Sequence, residues 1–135
     1  MKKTSLLQLV LSAVVLLSAG TAMAGARWAY PISISKNGDG SGSAQGSLAD
    51  VRNSADQSYI GCDVTVAPTS SPYIYCSAYD STNYRWLGCS SNQAAFVSLA
   101  SSISTSTMLW FNVDAQGSCT SIRVSNWSPL SIMAP

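Results

Sequence analysis

Apolar Trp28, Tyr30, Ile32 and Ile34 alternate with Ala29, Pro31, Ser33 and Ser35. A period of two predicts a β-strand. Pro31 has no amide hydrogen to donate, which assigns that strand to a sheet edge. Lys36-Asn37-Gly38-Asp39-Gly40 then supplies residues tolerant of positive φ and predicts a hairpin turn. The stretch 41–47 is nearly all Gly, Ser and Ala. It is a candidate partner for the first strand, but it offers little side-chain area to hold it there. Residues 48–57 have no clear period and read as a loop with room for a helical turn.

Ile60, Cys62, Val64 and Val66 alternate cleanly and predict the next strand. Pro68-Thr69-Ser70-Ser71-Pro72 turns the chain into a strand over 73–79, whose inward positions are Ile74, Cys76 and Ala78. Asp80-Ser81-Thr82-Asn83 turns it again, into a third strand of the meander over 84–89. The period then changes. Phe96, Leu99, Ala100 and Ile103 form the apolar stripe of a helix, predicted over 91–103 with Ser90 and Gln93 as a capping box. Two strands follow, over 107–114 and 119–126, joined by Ala115-Gln116-Gly117-Ser118. The register that buries Phe111 opposite Ile122 and Leu109 opposite Val124 sets Trp110 opposite Arg123 on the other face. The residues after Trp127 read as an irregular tail. The pattern predicts an α+β fold: mainly antiparallel sheet of about six or seven strands, one helix packed on it and two disulfides. An all-β sandwich is the alternative.

Composition changes this picture at the N-terminus. Lys2 and Lys3 precede an apolar run from Leu6 to Leu17, and Ala22-Met23-Ala24 is a small-x-small cleavage pattern. Residues 1–24 read as a secretory leader, too short and wrongly flanked for a membrane span. Its short Met-Lys-Lys start has a bacterial look, so the Asn126-Trp127-Ser128 sequon carries no weight. The remaining 111 residues, 25–135, make one domain. Five cations (Arg27, Lys36, Arg52, Arg85, Arg123) face six Asp there, so the net charge turns from +1 to −1. No basic cluster exists to follow a phosphate backbone, which argues against nucleic-acid binding.

Cys62, Cys76, Cys89 and Cys119 all lie in the mature region, and none sits at the cleavage point of a lipoprotein. Four cysteines behind a leader predict two disulfides in an oxidising compartment, secreted or periplasmic. With no C-x-x-C pair and no His, a zinc site is not expected. The turn at 80–83 sets Cys76 opposite Cys89, so the first expectation is Cys76–Cys89 with Cys62–Cys119. The pairing Cys62–Cys76 with Cys89–Cys119 stays open.

Candidate chemistry is narrow. Without His or Glu, nucleophile–histidine schemes are absent and any carboxylate pair must come from Asp50, Asp56, Asp63, Asp80 or Asp114. Several of these lie in turns, where Asp bonds local backbone, so an enzyme is not expected. Lys36, the single mature lysine, lies in a turn, a poor place to desolvate an amine. Asn37-x-Asp39-x-Ser41 opens like a calcium loop, but Leu48 occupies the position of the bidentate Glu; no metal and no cofactor is expected. Arg52 with Asp56 reads as an ion pair ordering its loop. The sharpest feature is aromatic: with Ile74, Cys76 and Ala78 inward, Tyr73, Tyr75 and Tyr79 face the other way, joined by Tyr84 and Trp86. A helix on one side of a sheet calls for apolar residues on both faces, so these five are first expected beneath the stripe of Phe96 and Leu99. If exposed, they form a surface for sugar rings or another protein. The function expected on this basis is a secreted, non-enzymatic binding module, glycan- or surface-directed. The alternative is a structural or adaptor subunit of a surface or periplasmic assembly.

Overall fold

The computed structural model describes residues 30–52 and 55–126. The leader, Trp28, Asn53, Ser54 and the tail after Asn126 lie outside the described residues. Seven strands form two antiparallel sheets. The first contains β1 (Ser33–Lys36), β2 (Gly42–Ser47), β6 (Met108–Val113) and β7 (Cys119–Ser125), in the order β1-β2-β6-β7. The second is the meander β3 (Tyr59–Ala67), β4 (Ser70–Asp80) and β5 (Arg85–Ser91). A short helix α1 (Leu48–Arg52) links β2 to β3, and α2 (Ala94–Ala100) links β5 to β6. The fold is mainly β with a helix.

The inward rows of the two sheets share one core. Ile34, Ala44, Leu109, Phe111, Val113 and Ile122 of the first sheet meet Ile60, Ile74, Cys76, Ala78, Leu87 and Cys89 of the second. The Gly-Ser-Ala stretch is a central strand, held by ladders to β1 and β6 on its two sides. Small residues suit that place: a Cβ at Gly42 would run into the Ser35 carbonyl oxygen. β1 lies at an edge as expected, although it begins at Ser33 and leaves Pro31 outside the strand, and the β6–β7 register is the expected one.

Two expectations are corrected. The helix spans Ala94–Ala100, shorter than 91–103, because β5 runs on to Ser91 and absorbs the intended cap. Gln93 becomes the N-cap without a side-chain cap hydrogen bond, and Ser91 Oγ accepts from the Gln93 amide instead. The apolar stripe survives: Phe96, Val97, Leu99, Ala100 and Ile103 pack against the core.

The disulfides are Cys62–Cys76 and Cys89–Cys119, not the pairing first expected. Cys76 does stand opposite Cys89, but it also stands opposite Cys62 on its other side. A residue in an antiparallel sheet directs both backbone polar groups to one neighbour, so its two cross-strand partners lie at a wide and a close spacing. The Cα separation of Cys62 and Cys76 is 4.0 Å, the close kind, and the bond forms there. Cys89 is left to reach Cys119 on the other sheet, at a Cα separation of 5.0 Å. The Ser90 amide donates to the Gly117 carbonyl beside it (3.0 Å), so backbone and disulfide join the two sheets at the same point.

Candidate functional site

The outer face of the β3-β4-β5 sheet is set by strand alternation. With Ile60, Ile74, Cys76, Ala78, Leu87 and Cys89 turned to the core, Tyr59, Tyr73, Tyr75, Ser77, Tyr79, Trp86 and Gly88 take the opposite face. Tyr59 pairs with Tyr79, which pairs with Trp86, giving an aromatic row across all three strands. The Tyr59 and Tyr79 rings lie 5.9 Å apart between centroids. Tyr75 and Tyr73 continue the row along β4. Tyr59, Tyr73, Tyr75 and Trp86 are each between 37% and 45% exposed, and Tyr79 is half-buried.

The expectation that the helix stripe covers this face is therefore corrected. Phe96 and Leu99 pack against the core, on the inward side of the meander that the four-stranded sheet also covers. Four of the five rings on this face stay more than a third exposed.

Gly88 decides how Trp86 lies. A Cβ at that position would come within 2.7 Å of the indole and 3.0 Å of the Tyr75 hydroxyl. The missing side chain leaves room for the far edge of the indole and for the Tyr75 hydroxyl over the glycine. A side chain at Gly88 would displace the indole.

Tyr84 departs from the group. It ends the hairpin turn with φ 51°, in the left-handed region, and is 84% exposed. Asp80 organises this turn: its Oδ1 accepts from the Thr82 and Asn83 amides (3.0 and 3.2 Å), and its Oδ2 accepts from Asn83 Nδ2 (2.7 Å). The turn ends one residue later than the strand pattern implied, so Tyr84 leaves the alternation. Tyr59 is the residue that sequence reading missed. Its signal was present, since any residue flanking an inward Ile60 faces outward.

The face ends in a polar groove. Tyr73, Ser90, Ser91, Asn92, Gln93 and Ser118 line a depression of about 430 Å³ where β5 gives way to α2. Ser90 stands opposite Tyr75, and Tyr73 belongs both to the row and to the lining of the groove. The groove is thus the continuation of the aromatic row.

Five of the six carboxylates accept hydrogen bonds from backbone amides. Asp50, Asp56 and Asp80 do line one cleft of about 230 Å³ with Pro31 and Ile32. Asp50 Oδ2 accepts from the Tyr30 amide (2.8 Å) and Asp56 Oδ1 from the Ser58 amide (3.2 Å). The side-chain hydrogen bond from Asn83, helped by the Asn83 and Thr82 amides and by Arg85, holds the Asp80 carboxyl below its ordinary value. That favours the ionised form, the opposite of what a general acid needs. Asp114 accepts from the Gln116 and Ser118 amides in the β6–β7 turn. In the would-be calcium loop, Asp39 accepts from both the hydroxyl and the amide of Ser41, which lower its pKa. Among the described residues no group of three or more His, Cys, Asp or Glu is placed to hold a metal ion.

No protein-family model matches the chain, and neither a curated protein nor a solved structure does.

Proposed function

We infer that the protein is a non-enzymatic binding module whose ligand lies on the outer face of the β3-β4-β5 sheet. The observation that carries this reading is the row of Tyr59, Tyr79, Trp86, Tyr75 and Tyr73, exposed at every position but the half-buried Tyr79. Flat amphipathic rings bury area against a ligand with little rotamer entropy to lose, and their faces suit the C–H faces of sugars. A glycan is accordingly the ligand class proposed. The row sits on a sheet cross-linked by Cys62–Cys76 and tied to its neighbour by Cys89–Cys119, so the rings are held in place before binding. The two disulfides suit an oxidising compartment, and secretion to the periplasm or beyond is part of the proposal.

Glycan-array screening of the oxidised protein tests it. Trp86→Ala is expected to weaken the strongest signals by about tenfold or more, as truncation of a central aromatic anchor does. Absence of binding across a broad array, or binding untouched by Trp86→Ala and Tyr75→Ala together, overturns the reading.

A further inference from the structure

The aromatic row and the groove differ in chemistry, and together they define a ligand more narrowly than aromatic stacking does. Among the described residues, the strand register sets one charged side chain on the outer face, Asp63, in line with Tyr75 and Ser90. Arg85 stands opposite buried Asp80, and its guanidinium donates to the Ile34 carbonyl of the other sheet (3.2 Å), so it is turned away from this face. A polymer carrying sulfate or carboxylate groups would find no cation here and one carboxylate to repel it. Neutral hydroxyls would find partners in the groove. The Asn92 and Gln93 side-chain amides and the Ser90 hydroxyl have no hydrogen-bond partner among the described residues, and each can both donate and accept.

We propose that the ligand is a neutral polysaccharide chain, stacked along the row from Trp86 to Tyr73 and read at its end by the hydroxyl and amide groups of the groove. This rests on the binding reading above and specifies its ligand. The row has the right form for a chain rather than a single sugar: from Tyr79 to Tyr73 along β4 is about 20 Å at the usual rise of an antiparallel strand. Stacking supplies affinity without regard to ring substituents, whereas Asn92 and Gln93 meet particular hydroxyls and set the preference among neutral chains. Paired donors and acceptors of this kind discriminate strongly, because a ligand lacking the matching group leaves them desolvated and unpaired.

Affinity electrophoresis of the oxidised protein separates the possibilities, using gels containing neutral polymers (hydroxyethyl cellulose, laminarin, xyloglucan, galactomannan) or anionic ones (alginate, polygalacturonate, heparin). The expected result is retardation by at least one neutral polymer and by no anionic one. Trp86→Ala should abolish it, and Asn92→Ala with Gln93→Ala should weaken it roughly tenfold, the size of two lost hydrogen bonds. Asp63→Asn should leave neutral binding in place. Unchanged circular dichroism of each variant shows that the fold is kept. Trp86-dependent retardation that is strongest in an anionic gel overturns the neutral-ligand proposal and leaves the binding face standing. So does neutral binding indifferent to the double groove variant. Retardation by no polymer overturns the binding face itself, and the neutral-ligand proposal with it.

Discussion

Gly88 and Asp80 show how single residues shape the aromatic face, from opposite directions. Gly88 acts by absence, leaving room for the far edge of the Trp86 indole. Gly88→Ala is expected to fold, since the clash is with the far edge of a side chain that can swing away. Its cost should stay within the ordinary range of about 1 kcal/mol. The indole N–H resonance of Trp86 should move, and glycan binding should fall although no contacting residue has been changed. An unmoved resonance would show that the indole does not rest on the glycine. Asp80 acts by acceptance, drawing three donors into the turn that closes the β4–β5 hairpin. Its folded pKa lies below the ordinary 3.8, so the native state binds fewer protons there than the unfolded chain does. The stability this contributes is present above pH 3.8 and lost as the pH falls through the lower, folded value. Asp80→Ala should cost about 1 kcal/mol or somewhat more at neutral pH, since it removes the acceptor of two turn amides. Denaturant titrations below pH 4 should show the gap between wild type and variant narrowing; a gap independent of pH would count against the carboxylate's role.

At the level of elements, the two disulfides work differently. Cys62–Cys76 closes a loop of 14 residues within one sheet, whereas Cys89–Cys119 closes 30 and joins the sheets. The chain-entropy account gives about 3 and about 3.6 kcal/mol for loops of these lengths. Removing Cys89 and Cys119 together should therefore destabilise more than removing Cys62 and Cys76, as read by chemical denaturation. The connectivity has a direct test, because Arg52, Arg85 and Arg123 bracket the cysteines. Trypsin without reduction should release 53–85 and 86–123 as separate peptides, each holding one intact disulfide. A covalently joined pair of peptides would mean a different connectivity. The capping box failed for a related reason. Ser90 and Gln93 have the spacing of a helix start, but Ser90 and Ser91 gain two strand neighbours by staying in β5. A ladder and an inter-sheet bridge outweigh a cap worth about 1 kcal/mol.

Across the whole molecule, one arrangement accounts for both the core and the open face. A three-strand meander buries one side against a second sheet and leaves the other to solvent, so the same alternation that fills the core lines up the tyrosines. The small helix packs against the core, and the aromatic face stays open. What the amino-acid order determined alone was local. It set the alternation of most strands, the registers of the β4–β5 and β6–β7 hairpins, and the separation of Ile74, Cys76 and Ala78 from Tyr73, Tyr75 and Tyr79. These follow from steric and hydrogen-bonding preferences acting over a few residues. Tertiary structure decided what depends on neighbours distant in sequence. Cys76 had two eligible partners, and the spacing of the sheet chose between them. Tyr59 joined the face because β3 pairs with β4, and Tyr84 left it because Asp80 lengthened the turn. Above all, whether the aromatic face would be covered depended on which side of the meander the four-stranded sheet took. No local pattern encodes that choice, since burial is a property of the surfaces that meet and both faces of this meander are rich in large side chains.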